Sequence, residues 1–90
     1  MTDRTVIVTG GSRGLGLAIT QALLGAGYMV ATCSRSAGDA LPALLTAHPG
    51  RLFWQQANIG DAASTQAFID AVVQRFGAPW GLVNNAGIAR

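Results

Sequence analysis

The feature that most limits how this chain can fold is a change of period at residue 10. Thr5-Val6-Ile7-Val8-Thr9 is a β-branched run, the pattern of a strand buried on both faces. Gly10-Gly11 breaks the run. From Gly14 onward Leu15, Ile19, Leu23 and Ala26 recur at helical spacing, until Gly27 supplies a C-terminal stop. A buried strand thus runs through a glycine turn into a helix.

The same switch recurs along the chain. Residues 28–33 read as a second strand, and residues 39–47 as a weaker helix with Leu41, Leu44 and Leu45 on one side. Pro42 falls in its first turn, where proline is tolerated. His48-Pro49-Gly50 closes it, and residues 51–57 form a third strand. Asp61 can cap a long helix to Phe76 with an apolar stripe of Phe68, Ile69, Val72, Val73 and Phe76. Gly77-Ala78-Pro79 ends that helix, and Gly81-Leu82-Val83-Asn84 is a fourth strand. The order β-α-β-α-β-α-β implies a parallel sheet with right-handed crossovers and helices on its faces. No linker or repeat interrupts it, so residues 1–90 read as one domain.

Composition excludes several classes. Half the residues are hydrophobic and only 11% are charged, which points to a packed core rather than a disordered chain. No apolar run approaches the roughly 20 residues of a membrane span. Met1-Thr2-Asp3-Arg4 leads into the first strand without a signal-peptide core, so a cytoplasmic location is expected. The net charge of +2 comes from six scattered arginines and no lysine, with no basic block that would track nucleic acid. The lone Cys33 excludes an internal disulfide and a cysteine metal cluster, and reads as a small buried hydrophobe. His48 reads as a loop histidine; Asp61, Asp70 and Arg75 read as a cap and solvated charges. Trp54 and Trp80 read as core or edge packing.

The chemistry concentrates in Thr9-Gly10-Gly11-Ser12-Arg13-Gly14-Leu15-Gly16. Gly10 allows the turn, Gly14 lets a ligand lie against the backbone, and Gly16 lets the helix pack close. The helix N-terminus offers unpaired N–H groups and a positive dipole end to a pyrophosphate. A P-loop would need Gly-Lys-Ser/Thr, whereas Leu17 follows Gly16. The strict G-x-G-x-x-G form also fails, because Ile19 stands at its last position. What remains is T-G-x-x-x-G-x-G.

That segment resembles the nucleotide-binding signature of the short-chain dehydrogenase/reductase (SDR) family. Asn84-Asn85-Ala86-Gly87 matches the family's N-N-A-G signature at the end of its fourth strand. Asn58-Ile59-Gly60-Asp61 is similar to its adenine-contacting turn. The nearest subgroup is the 3-oxoacyl-acyl-carrier-protein reductase type. The resemblance implies a Rossmann-type, doubly wound parallel sheet of strand order 3-2-1-4, incomplete at four strands and matching about the first third of a family member. It also implies cofactor roles. Gly10, Ser12, Arg13, Gly14, Leu15 and Gly16 would hold the pyrophosphate and adenosine ribose, Asn58 and Ile59 would face adenine, and Asn85, Ala86 and Gly87 would approach the ribose. Asn84 is as well explained as a structural tie between strands.

An acidic residue about 20 positions beyond the first glycines usually bonds the ribose 2′-hydroxyl. Here Cys33-Ser34-Arg35-Ser36 offers none. Arg35 would sit where a 2′-phosphate projects, with Arg13 in reach, and arginine's donor fork suits phosphate. NADP(H) is therefore the expected cofactor, with NAD(H) as the alternative.

The family's general acid/base is a Tyr-x-x-x-Lys pair, assisted by a Ser, after the fifth strand. In this chain the only tyrosine is Tyr28, four before Thr32, and no lysine exists. No catalytic residue is therefore assigned, and the 90 residues alone are expected to be inactive. The leading expectation is the cofactor-binding half of an NAD(P)(H)-dependent oxidoreductase acting on a small carbonyl or alcohol, the complete protein being a homo-oligomer. The competing one is a truncated, non-catalytic nucleotide-binding module. An isolated four-stranded piece is expected to be marginal or to associate through its open edge.

Overall fold

The computed structural model describes residues 4–85. Its elements are β1 (Thr5–Thr9), α1 (Gly14–Gly25), β2 (Met29–Ser34), α2 (Leu41–Ala47), β3 (Leu52–Gln56), α3 (Ala62–Phe76) and β4 (Gly81–Asn84). The strands form one parallel sheet in the order β3-β2-β1-β4. All five residues of β1 are buried, because helices cover both faces of this central strand.

The two faces carry separate cores. On one, Val6, Val8, Val30 and Leu52 pack with Leu24 of α1 and Leu41 of α2. On the other, Ile7, Ala31 and Cys33 pack with Phe68 and Val72 of α3. Helices on both faces make the sheet doubly wound, as the alternation predicts.

Helix faces differ in detail from the expected stripes. In α1 the buried residues are Gly16, Thr20 and Leu24, while Leu15 is 65% exposed. The helix is thus rotated by one residue from its large apolar positions. It lies so close to the turn and sheet that small residues occupy the contact. α2 begins at Leu41 rather than 39, with Pro42 in its first turn. In α3 the Asp61 carboxylate accepts the Ser64 N–H at 2.9 Å, the expected cap. Phe68 and Val72 are buried, and Val73 turns outward.

The N-terminal ends of the strands carry an aromatic cluster. Tyr28, just before β2, stacks on Trp80, just before β4, with centroids 5.8 Å apart. The Arg4 guanidinium lies 4.8 Å from the Trp80 ring centroid. β4 is a sheet edge, and its Leu82 is exposed. Among the described residues no helix is long and apolar enough to cross a membrane.

Candidate cofactor-binding site

The strand order reverses at β1, whose neighbours β2 and β4 are reached by crossovers on opposite faces. In such sheets the crevice beyond the C-terminal strand ends is the binding position. There Thr9 pairs with Cys33 on one side and Asn84 on the other.

The glycine turn leaving β1 is tied to both neighbours. Toward β4, Thr9 Oγ1 accepts the Asn85 N–H at 2.9 Å and donates to Asn84 Oδ1 at 3.2 Å. Asn85 Nδ2 donates to the Gly10 carbonyl at 3.3 Å. Toward β2, the Gly10 N–H donates to the Cys33 carbonyl at 2.8 Å. The Gly11 N–H donates to Thr32 Oγ1 at 3.0 Å, and that hydroxyl donates to the Val8 carbonyl at 2.6 Å. These bonds satisfy polar groups that the buried turn would otherwise leave unpaired.

Close approach explains two of the glycines. A Cβ on Gly16 would meet the Gly10 carbonyl oxygen, and would stand 2.7 Å from Asn85 Nδ2. One on Gly11 would run into Thr32 Oγ1. Gly16 therefore serves mainly to let the turn fold back across its own helix. Gly14 is different: it has φ 59° and nothing within 4 Å of where a Cβ would stand.

Helix α1 starts with an open positive end. Arg13 is its extended N-cap, no side chain caps it, and no acid occupies its first turn. An anion there meets free N–H groups and the dipole, worth roughly 0.3–1 kcal/mol per charge near the terminus.

Above this end lies an open cleft of about 590 Å³. Gly10, Ser12, Arg13 and Gly14 line it from the turn, and Cys33, Ser34, Arg35 and Ser36 from the end of β2. Ala57 and Ile59 line it beyond β3, and Asn85 beyond β4. This lining holds two arginines and no acid. Three expected site residues stand outside the lining. Leu15 turns outward, and Gly16 is buried behind the Gly10 carbonyl. Asn58 shapes the turn that presents Ile59: its Oδ1 accepts the Gly60 N–H at 3.0 Å and its own N–H donates to Ser64 Oγ at 2.9 Å. Ala86 and Gly87 lie outside the described residues.

Cys33, Ser34, Ser36 and Ala57 were not singled out as site residues from the sequence. The signal was there, since the last residues of strands flanking the reversal point must border the crevice. Burial pushes the Cys33 thiol up from 9.0 to about 11, partly opposed by a hydrogen bond from the Gly10 backbone. The neutral thiol is thus favoured by the fold, and stability should fall as pH rises from 9.0 to about 11. Iodoacetamide should label native Cys33 far more slowly at pH 8 than the urea-unfolded chain. Equal labelling rates would contradict this burial.

The short chain dehydrogenase family profile matches residues 4–90. The chain belongs to the short-chain dehydrogenase family. It is 40% identical over 90 residues to the 3-oxoacyl-acyl-carrier-protein reductase of Staphylococcus aureus, covering 97% of this chain and 37% of that protein. With the sorbitol-6-phosphate 2-dehydrogenase of Klebsiella pneumoniae it shares 41% identity over 88 residues, 96% of this chain and 30% of the relative. A solved NADPH-bound short chain oxidoreductase of Pseudomonas aeruginosa, with an atypical catalytic centre, superposes with a TM-score of 0.86 at 41% identity, covering 98% of this chain and 36% of that one. The chain spans about a third of the length of the curated short-chain dehydrogenase relatives it matches.

A nicotinamide dinucleotide, the family's cofactor, fits these residues. The uncapped helix end and the open space over Gly14 suit its pyrophosphate, and the acid-free, arginine-bearing rim suits its phosphates. Tyr28, the one tyrosine, stacks on Trp80 at the opposite end of the sheet.

Proposed function

We propose that this chain holds NADP(H) in the cleft beyond β1 and serves an oxidoreductase that interconverts a small-molecule carbonyl and alcohol. The observation that carries the reading is an uncapped helix end at the strand-order reversal, flanked by Arg13 and Arg35 with no acid in the lining. The relatives named for a 3-oxoacyl reductase and a sugar-phosphate dehydrogenase support a carbonyl/alcohol substrate class.

The bound nicotinamide supplies hydride exchange with the carbonyl carbon. The chain's residues bind and orient. The α1 N-terminus and the backbone at Gly14 take the pyrophosphate, with Ser12 and Gly10 beside it. Ile59, presented by the Asn58 turn, covers the adenine, and Asn85 approaches the ribose. Arg35 and Arg13 take the 2′-phosphate. Among the described cleft residues none is placed as the proton donor to the carbonyl oxygen. Cys33, raised to about 11, holds its proton, and Tyr28 lies at the other end of the sheet. The complete protein is read as a homo-oligomer in the cytoplasm.

Thermal denaturation of the full chain tests the cofactor class. NADPH at about 100 times its Kd should stabilise it by about 2.7 kcal/mol, while S-adenosylmethionine, the ligand of methyltransferase-type sheets, should not raise Tm. No response to either nicotinamide dinucleotide would overturn the reading. With a 3-oxoacyl thioester these 90 residues alone should then consume no NADPH, because none of the described cleft residues is placed as the proton donor.

A further inference from the structure

Two side chains on β3 reach back to the segment that carries Arg35. Trp54 Nε1 donates to Ser34 Oγ at 2.8 Å, and Ser34 Oγ donates onward to the Ser36 carbonyl at 2.5 Å. Gln56 Nε2 donates to the carbonyl of Arg35 itself at 3.0 Å. The β2–β3 ladder pairs Ser34 with Gln56, and its next rung runs from the Ala57 N–H to the Ser34 carbonyl at 3.0 Å. Beyond that rung the backbone at 35–36 leaves the sheet, and the bonds from Trp54 and Gln56 take over. Further on, the segment passes against the glycine turn, where a Cβ on Gly38 would stand 2.9 Å from the Ser12 carbonyl oxygen. The stretch from Ser34 to Gly38 is therefore hydrogen-bonded to β3 at one end and lies close against the glycine turn at the other.

Ser34 lines the cleft, yet its single hydroxyl proton goes to the Ser36 carbonyl, so it has no donor left for an anion. Its part is to pass on the hold of Trp54. Arg35 is a long exposed side chain, and such a chain discriminates well only when its backbone is already in place.

We infer that Trp54 and Gln56 are positioning residues for phosphate discrimination. From β3 they fix the backbone at 34–36 so that Arg35 is presented to the 2′-phosphate. They thereby set the ratio of NADPH to NADH affinity without touching either nucleotide. The inference rests on the NADP(H) reading above.

The test is the Kd of both nucleotides for the full chain as wild type, Trp54→Phe, Gln56→Met and Arg35→Ala. Trp54→Phe keeps a ring and removes the N–H. Gln56 is exposed, so Gln56→Met leaves the core intact. Each β3 variant should weaken NADPH about 2–10-fold, the net worth of one hydrogen bond, and shift NADH by less than about twofold. Wild-type ratios in both β3 variants, or proportional loss of both nucleotides, would overturn the inference. The Arg35→Ala arm separates the two levels. If it leaves the ratio unchanged, the NADP(H) reading itself fails. If it collapses the ratio while both β3 variants keep it, only the role of Trp54 and Gln56 fails.

Discussion

Gly16→Ala should abolish measurable dinucleotide binding and lower the stability of the fold by about 1–3 kcal/mol, the usual cost of overpacking. The added methyl would meet the Gly10 carbonyl oxygen and the Asn85 amide, and neither can step aside cheaply. Gly10 is anchored through its N–H to the Cys33 carbonyl at 2.8 Å, and Asn85 through its N–H to Thr9 Oγ1 at 2.9 Å. The turn and the start of α1 must therefore move apart, which carries the helix N–H groups away from the pyrophosphate. Urea unfolding and an NADPH titration of the same variant give both numbers. Gly14→Ala is the contrast. It strains a residue at φ 59° by roughly 1–2 kcal/mol but meets nothing in the protein, so its loss of binding comes from a methyl entering the cleft. A Gly16→Ala chain that bound NADPH like wild type would show that this turn is not the phosphate cradle.

Arg35→Ala should weaken NADPH by about 10–100-fold and leave NADH nearly unchanged. That range corresponds to charge-assisted hydrogen bonds worth roughly 1.5–3 kcal/mol. Arg35 stands at the end of β2 in a lining with no carboxylate to repel a phosphate, and Arg13 faces the same cleft from the turn. Arg35→Lys should recover part of the loss, because an ammonium keeps the charge and gives up the planar fork. The Kd of each variant for NADPH, titrated at fixed ionic strength, reads out both. A loss shared equally by NADPH and NADH would place Arg35 elsewhere than at the 2′-phosphate.

Much of the fold was legible because each element announces itself locally. The β-branched run at Thr5–Thr9, the Asp61 cap and the glycine stops bracket strands and helices that tertiary packing then leaves nearly where the pattern put them. The strand order followed from the resemblance and is the order observed. The packing face of α1 was not legible. Periodicity follows large apolar residues, whereas this contact selects Gly16, Thr20 and Leu24 because the backbones approach closely. In the site, the glycine turn could be read from spacing. The supports behind it could not. Thr32 at Gly11, and Trp54 behind Ser34, meet their partners across strands, and no local pattern marks a cross-strand hydrogen bond. That Asn58 Oδ1 also accepts the Gly60 N–H, and so shapes the turn that presents Ile59, was not marked by the motif.

Parallel titrations of the full chain with NADPH and NADH test the central claim most directly. An acid-free cleft with Arg35 at the end of β2 and Arg13 in the turn predicts that NADPH binds at least about tenfold more tightly. Equal affinity for the two nucleotides would contradict it.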